Sequence, residues 1–404
     1  ADSVEMKRAS RRGVAAAAEG RGRTADSVEM KRASRSGVAA AAEGRDSPRS
    51  DAMVSDTVKR PRGNEQPSDE VLMELAISAA AGVRATTAPN PWVGCVVSKD
   101  GQQFVGATSR PGGPHAEIVA LGKAGSAARG STLVTTLEPC AHRGRTGPCT
   151  DAIVDAGVGR VVVGIRDPDA AVDGAGVKAL GDAGIPVTVG VLESRVAEQL
   201  RAYRKHRITG RPYVVLKLAA TLDGRIAAPD GSSRWITGPA AREEVHRLRA
   251  ESDAVLVGAG TVARDDPALT VRLHDELPSG PSDQPLRVVL TKHLARDARA
   301  QPAIAYSGPL DDLLDELGGM GILQLLVEGG ARVAYSFHHA GLVDRYVIYI
   351  APVLLGGSDG IPLLEGSGAP SMSQAWRGQW RSVTRVGDDL RVEMDALGAW
   401  EGLA

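Results

Sequence analysis

Pro114-His115-Ala116-Glu117, taken with Glu138-Pro139-Cys140 and Pro148-Cys149, is the stretch on which this chain turns. It carries three metal donors: the imidazole of His115 and the thiolates of Cys140 and Cys149. Three protein ligands leave the fourth corner of a tetrahedral Zn²⁺ to water, the pattern of a catalytic rather than a closed structural site. Glu117, two residues after the histidine, is then a proton-moving group and not a ligand.

The flanking pattern gives these residues a fold. Ala116 to Ala124 is expected to be a short helix opening at His-Ala-Glu. Thr132 to Leu137 is expected to be a strand that delivers Glu138-Pro139-Cys140 at its end. Pro148 suits the first turn of a further helix, which places Cys149 near a helix N-terminus where the dipole favours a thiolate. Zn²⁺ lowers the pKa of a bound water to about 7, and Glu117 is placed to take that proton. Zinc deaminases of nucleobases carry H-x-E followed by P-C-x-x-C, with these roles. Here the parts come in the same order, but eight residues rather than two separate the cysteines. A closed site of Cys140, Cys149 and His142 is the structural alternative, and it leaves Glu117 without a task.

Further out, 404 residues suggest two domains, and the formal net charge of −1 does not support a broadly basic nucleic-acid surface. No apolar run is long enough for a membrane span. Three cysteines do not make a disulfide framework, so a reducing, cytoplasmic setting is expected. The ten residues Ala-Asp-Ser-Val-Glu-Met-Lys-Arg-Ala-Ser stand at 1–10 and again at 25–34. Two copies are too few for a solenoid, and their composition predicts disorder. We therefore read 1–66 as a disordered, repeat-containing extension, of which 1–52 is expected to be dispensable, 67–208 as a zinc deaminase domain and 209–398 as a reductase domain.

Ser68 to Ala81 reads as a helix, and Trp92 to Ser98 with Gln103 to Ala107 as a strand pair about Lys99-Asp100-Gly101. Alternating strands and helices to Val189 imply a three-layer α/β domain. Ser194 to Arg207 reads as one helix, and Thr209-Gly210-Arg211-Pro212 as the boundary turn. Beyond it, Gly258-x-Gly260-x-x-Ala263 imitates a dinucleotide fingerprint. That reading is rejected because Asp265-Asp266-Pro267 leaves no room for the required helix. Leu342 to Leu355 is expected to be a central apolar strand.

Three longer blocks identify a family. Pro89-Asn90-Pro91-Trp92-Val93-Gly94, Pro114 to Glu117 and Glu138 to Cys149 resemble the bifunctional deaminase/reductase of riboflavin biosynthesis, whose cysteine spacing this is. Lys217 to Gly224, Trp235-Ile236-Thr237, Gly258 to Thr261, Asp265 to Arg272 and Glu328-Gly329-Gly330 resemble its reductase half. The resemblance implies an α/β architecture: a cytidine-deaminase-like domain followed by a dihydrofolate-reductase-like domain, using Zn²⁺ and NADPH. It implies a pyrimidine ribosylamino phosphate as substrate, with no nucleic-acid or membrane partner. Asn90, His142 and Arg145 would contact that substrate in the first site. In the second, Ala219, Trp235, Thr261 and Asp265 would line the cofactor. The run Gly330, Ala331, Arg332, Val333, Ala334, Tyr335 and Ser336 would hold its phosphates, and a glycine-rich turn entering a helix suits anions in any case. Lys217, Ser233, Arg249, Leu269, Arg272 and Glu328 would meet the reductase substrate. Asp223 is left open between turn residue and ligand.

The chain departs from the family pattern at Thr291-Lys292-His293 and in a shortened Arg296 to Pro309 segment. A deaminase carrying a degenerate reductase scaffold is therefore a second reading. An RNA-editing deaminase is a third, supported only by the basic N-terminus. Either edge of the second sheet could pair with another subunit in a homo-oligomer.

Overall fold

In a computed structural model, the described residues are 67–142, 147–169, 172–273 and 284–397. The extension 1–66, Arg145 and residue 398 lie outside them. Helix α1 (Asp69–Ala81) starts where the Ser68 hydroxyl accepts from the Val71 N–H, and Asp69 and Glu70 sit at its positive end. It buries Leu72, Met73, Ala76 and Ala80. Cutting Leu72 or Met73 back to alanine is worth about 2–5 kcal/mol at such positions.

That face lies on a five-stranded sheet of order β2-β1-β3-β4-β5. Its strands are β1 (Gly94–Lys99), β2 (Gln102–Ala107), β3 (Thr132–Leu137), β4 (Arg160–Ile165) and β5 (Val187–Val189). β1 runs antiparallel to β2 and β3, whereas β3, β4 and β5 are parallel. Helices α2 (Ala116–Ala124), α3 (Cys149–Asp155) and α4 (Ala175–Asp182) fall between the strands. Gly106 lets β2 touch α2: a Cβ there would come within 2.3 Å of the Ala116 carbonyl oxygen.

The expected helix from Ser194 to Arg207 is two helices, α5 (Glu193–Gln199) and α6 (Arg201–Thr209). The backbone leaves helical geometry at Leu200, whose side chain is fully buried and fixes the bend. These helices face the second sheet. Arg345 reaches Glu198 at 2.8 Å, and Lys205 pairs with the buried Asp344.

The second sheet has eight strands in the order β10-β9-β8-β11-β6-β12-β15-β14. They are β6 (Tyr213–Thr221), β8 (Ala254–Gly258), β9 (Leu286–Leu290), β10 (Ile304–Tyr306), β11 (Gln324–Val327), β12 (Arg345–Ala351), β14 (Gly378–Val386) and β15 (Asp389–Ala396). A small pair, β7 (Arg225–Ala227) and β13 (Ile361–Pro362), stands apart. From β10 to β12 all neighbours are parallel, and β15 and β14 close the sheet antiparallel. The parallel strands thus end on one rim. β12 is interior, as expected, but stops at Ala351: Val353, Leu354 and Leu355 continue as an exposed segment. Asp223 accepts from the Gly356 N–H at 2.8 Å and from the Leu355 N–H at 3.3 Å. Its role in the fold is to hold a turn.

Helices α7 (Pro239–Ala250), α8 (Ala259–Asp265), α9 (Leu310–Gly319) and α10 (Ala331–His339) complete this part. α8 corrects the argument used against the dinucleotide reading. A helix does open directly after Gly258, and Asp265-Asp266-Pro267 ends it instead of preventing it. Asp266 adopts a left-handed φ of 39° and closes α8 through its N–H to Val262. β9 passes to its parallel neighbour β10 through residues 291–303 with no helix between them. No helix among the described residues is long and apolar enough to cross a membrane.

Candidate active sites

Three elements converge on the first site. His115 is the residue before α2, Cys140 follows the end of β3, and Cys149 opens α3. Their ligand atoms all lie within 4.8 Å of one another. His115 Nδ1 stands 3.3 Å from the Cys149 sulfur and 3.6 Å from that of Cys140. The Cys149 N–H, free because it begins a helix, donates to Cys140 Sγ at 3.4 Å. A separate thiol-to-thiol hydrogen bond, from the Cys149 side chain, pulls the Cys140 thiol down to about 4, and that same side-chain bond pushes Cys149 up. Contact with Cys140 raises His115 against the effect of burial.

Glu117 lies on the first turn of α2, buried beside these groups. Loss of water pushes its carboxyl up to about 7, where a group can both accept and release a proton at neutral pH. An imidazole and two sulfurs suit Zn²⁺, whereas Mg²⁺ and Ca²⁺ take oxygen ligands. Asn90 is half-buried on the loop before β1, and His142 is exposed two residues past Cys140. Neither side chain hydrogen-bonds to the ligand triad among the described residues.

The second site lies on the rim where the parallel strands end. Gly258 and Gly330 begin α8 and α10 from adjacent strands β8 and β11. The two helix starts touch: a Cβ on Gly258 would come within 2.7 Å of Val333, and one on Gly330 would lie 3.9 Å from the Thr261 hydroxyl. The first turns of α8 (Ala259, Gly260, Thr261) and α10 (Ala331, Arg332, Val333), whose N–H groups have no intrahelical acceptor, therefore start side by side and form a cradle. Ala334, Tyr335 and Ser336 lie further along α10. Arg234 links Trp235 to this region through the Asp265 carbonyl at 3.1 Å. Trp235 is 71 % exposed under the Arg242 guanidinium, which stands 4.4 Å above the ring. Ala219 is half-buried towards the end of β6.

Beside the cradle is a charged cluster. Arg249 Nε and Nη2 meet the Glu328 carboxylate at 2.5 and 2.9 Å, and Nη1 donates to the Thr270 carbonyl at 3.2 Å. Burial alone would raise Glu328, but Arg249 and Lys217 bring it below its ordinary value. Burial depresses Lys217, with Glu328 opposing and Arg249 adding to the effect. Leu269 is buried, and Arg272 is exposed with its N–H donating to His246 Nδ1 at 3.3 Å. Ser233 is half-buried and makes no hydrogen bond to this cluster among the described residues. His246 was not among the sequence candidates. Its place three residues before Arg249 on α7, hence on the same helix face, was the available signal.

Residues 66–165 match the cytidine and deoxycytidylate deaminase zinc-binding region, and residues 212–392 match the RibD C-terminal domain. The riboflavin biosynthesis protein RibD of Mycobacterium tuberculosis (strain ATCC 25618 / H37Rv) is 42% identical over 334 residues, covering 80% of this chain and 96% of the relative. This chain belongs to the RibD family. RibD of Escherichia coli (strain K12) is 40% identical over 363 residues, covering 81% of this chain and 99% of that protein. Among solved structures, Acinetobacter baumannii RibD superposes with a TM-score of 0.76 at 38% identity, over 81% of this chain and 98% of that one. A deaminase/reductase from Thermotoga maritima gives 0.73 at 34% identity, with the same coverage of both chains. The RibD match spans both sheets, so the metal donors and the rim of helix starts belong to one bifunctional enzyme with deaminase and reductase halves.

Proposed function

We propose that this RibD-family chain carries out two successive steps of riboflavin biosynthesis. The first is hydrolytic deamination of 2,5-diamino-6-(5-phosphoribosylamino)pyrimidin-4-one. The second is NADPH reduction of the ribosyl group to ribityl phosphate. The single observation that carries this reading is the meeting of His115, Cys140 and Cys149 beside the buried Glu117. Zn²⁺ held there supplies the Lewis acidity that makes water a nucleophile at neutral pH. Glu117 takes the proton of the attacking water and passes it towards the departing amine. Water enters, ammonia leaves, and a ring carbonyl replaces the amino group. Asn90, His142 and Arg145 orient the pyrimidine and its phosphate.

In the reductase half, α8 and α10 seat the cofactor phosphates, and Trp235, Thr261 and Asp265 flank the bound molecule. NADPH supplies the hydride, and this chain supplies orientation and charge. Lys217 and Arg272 face the phosphorylated sugar. Arg249, held by Glu328, sets the floor beneath it, with Ser233 and Leu269 alongside. Three thiols with no disulfide among them fit a cytoplasmic enzyme.

Metal analysis combined with ammonia and NADPH assays on the pathway substrate tests both steps. Wild type is expected to bind zinc, release ammonia and oxidise NADPH. Cys140→Ser is expected to lose zinc and ammonia release while still oxidising NADPH on deaminated substrate. Ammonia release without any NADPH oxidation by wild type would leave a deaminase on a scaffold.

A further inference from the structure

We infer that Glu138 is a positioning residue for the metal centre: its carboxylate, clamped by backbone N–H groups of a neighbouring loop and helix, sets where Cys140 presents its sulfur. This rests on the metal-centre reading above. Glu138 is 3% exposed. Its Oε2 accepts from the N–H groups of Asp167 at 3.2 Å and Gly174 at 3.0 Å, and its Oε1 from Val177 at 2.9 Å. Gly174 is the residue before α4, and Val177 lies in its first turn, so the carboxylate caps that helix. No lysine or arginine pairs with Glu138 among the described residues. Its charge is balanced by oriented N–H dipoles, bonds stronger than those between neutral partners.

The next two residues are held as tightly. The Glu138 N–H donates to the Ile165 carbonyl at 3.0 Å. Pro139 lies so close to α4 that a Cβ on Gly176 would sit 1.9 Å from its carbonyl oxygen. The Cys140 carbonyl accepts from the Thr150 N–H at 3.2 Å. Among the described residues, no hydrogen bond or ion pair joins the Glu138 carboxylate to His115, Cys140 Sγ, Cys149 Sγ or Glu117. Glu138 acts through the backbone of Pro139 and Cys140, and groups that orient a ligand from behind are worth about 10–100-fold in metal affinity or activity.

Glu138→Gln in the full chain tests this, because the isosteric amide points N–H donors at N–H donors. Zinc affinity, read by competition with a chromophoric chelator, is expected to fall about 10–100-fold. Ammonia-release kcat per bound zinc is expected to fall with KM little changed, and the visible spectrum of the Co²⁺-substituted protein to shift. NADPH oxidation, housed on the other sheet, is expected to stay at the wild-type rate. A lower melting temperature with wild-type zinc affinity, Co²⁺ spectrum and kcat per zinc would overturn the inference, since that is what a merely structural role gives. If Glu138→Gln does not fold, Glu138→Asp keeps the charge but shortens its reach. A shifted Co²⁺ spectrum in that variant supports the inference, and an unshifted one overturns it. Failure of the metal-centre reading shows separately, as a Cys140→Ser variant that binds zinc like wild type.

Discussion

The metal centre and the Lys217–Arg249–Glu328 cluster are both made of buried ionisable groups, yet their charges are arranged oppositely. In the first, two thiols, a histidine and Glu117 crowd together, and no lysine or arginine pairs with them among the described residues. Glu117 and Cys149 are pushed towards their neutral forms. In the second, Glu328 and Arg249 neutralise each other in two parallel hydrogen bonds, and each is shifted towards its charged form. Lys217 is left as a surplus cation held below its ordinary pKa by burial. The difference shows what each region lacks. The first cluster is relieved by a bound cation, and the second, positive on balance, by an anion such as a sugar phosphate.

The sharpest way to break this comparison is Glu117→Gln. The amide fits the same space but cannot carry a proton. Ammonia release is expected to fall about 10²–10⁴-fold, the usual contribution of a positioned acid–base group. Zinc content and NADPH oxidation are expected to remain. Near wild-type deamination would show that the carboxyl raised to about 7 is an effect of burial and not part of the chemistry.

Next in size is the cost of unpairing the second cluster. Glu328→Leu leaves the Arg249 guanidinium buried without its partner, which costs about 3–5 kcal/mol. The double variant Arg249→Met/Glu328→Leu removes both charges and is expected to recover most of that stability in urea unfolding. Both variants are expected to lose NADPH oxidation and, where folded, to keep ammonia release. Equal destabilisation by the single and double changes would mean that the pair is not coupled.

The two regions were not equally legible in the sequence. Residue type and order alone pointed to the zinc centre, because a strand end and two helix starts bring donors only 34 residues apart onto one point. The helix to Ala81, the strand pair about Asp100 and the helix at Ala116 were read from local rules and form as expected. The reductase cluster had no local signature. Arg249 and Glu328 are 79 residues apart and meet only because α7 packs beside the end of β11. Resemblance named them, but nothing in their spacing showed that they pair. Other misreadings share this cause. Leu200 bends a helix because of what it packs against. α8 fits before Pro267 because Asp266 takes a left-handed conformation that composition does not reveal.

The smallest expected effect separates the cluster's charge from its shape. Glu328 in the fold titrates below its ordinary 4.5, because Arg249 and Lys217 outweigh burial. A carboxylate with a depressed folded pKa contributes stability fully above its unfolded value and loses it as pH falls through the folded one. The difference in unfolding free energy between wild type and Arg249→Met/Glu328→Leu should therefore be flat at and above about pH 6, and move against wild type below about pH 4.5. Lys217 works at the other end. Folding favours its neutral form, so it penalises the native state at neutral pH, and the penalty fades as pH rises towards 10.5. Lys217→Met should remove that alkaline gain and, by taking away one of the two cations that depress Glu328, shrink the acid limb without abolishing it. Urea midpoints across the pH range read both limbs. An acid limb unchanged in the double variant would assign it to other carboxylates and reduce the Arg249–Glu328 pair to packing alone.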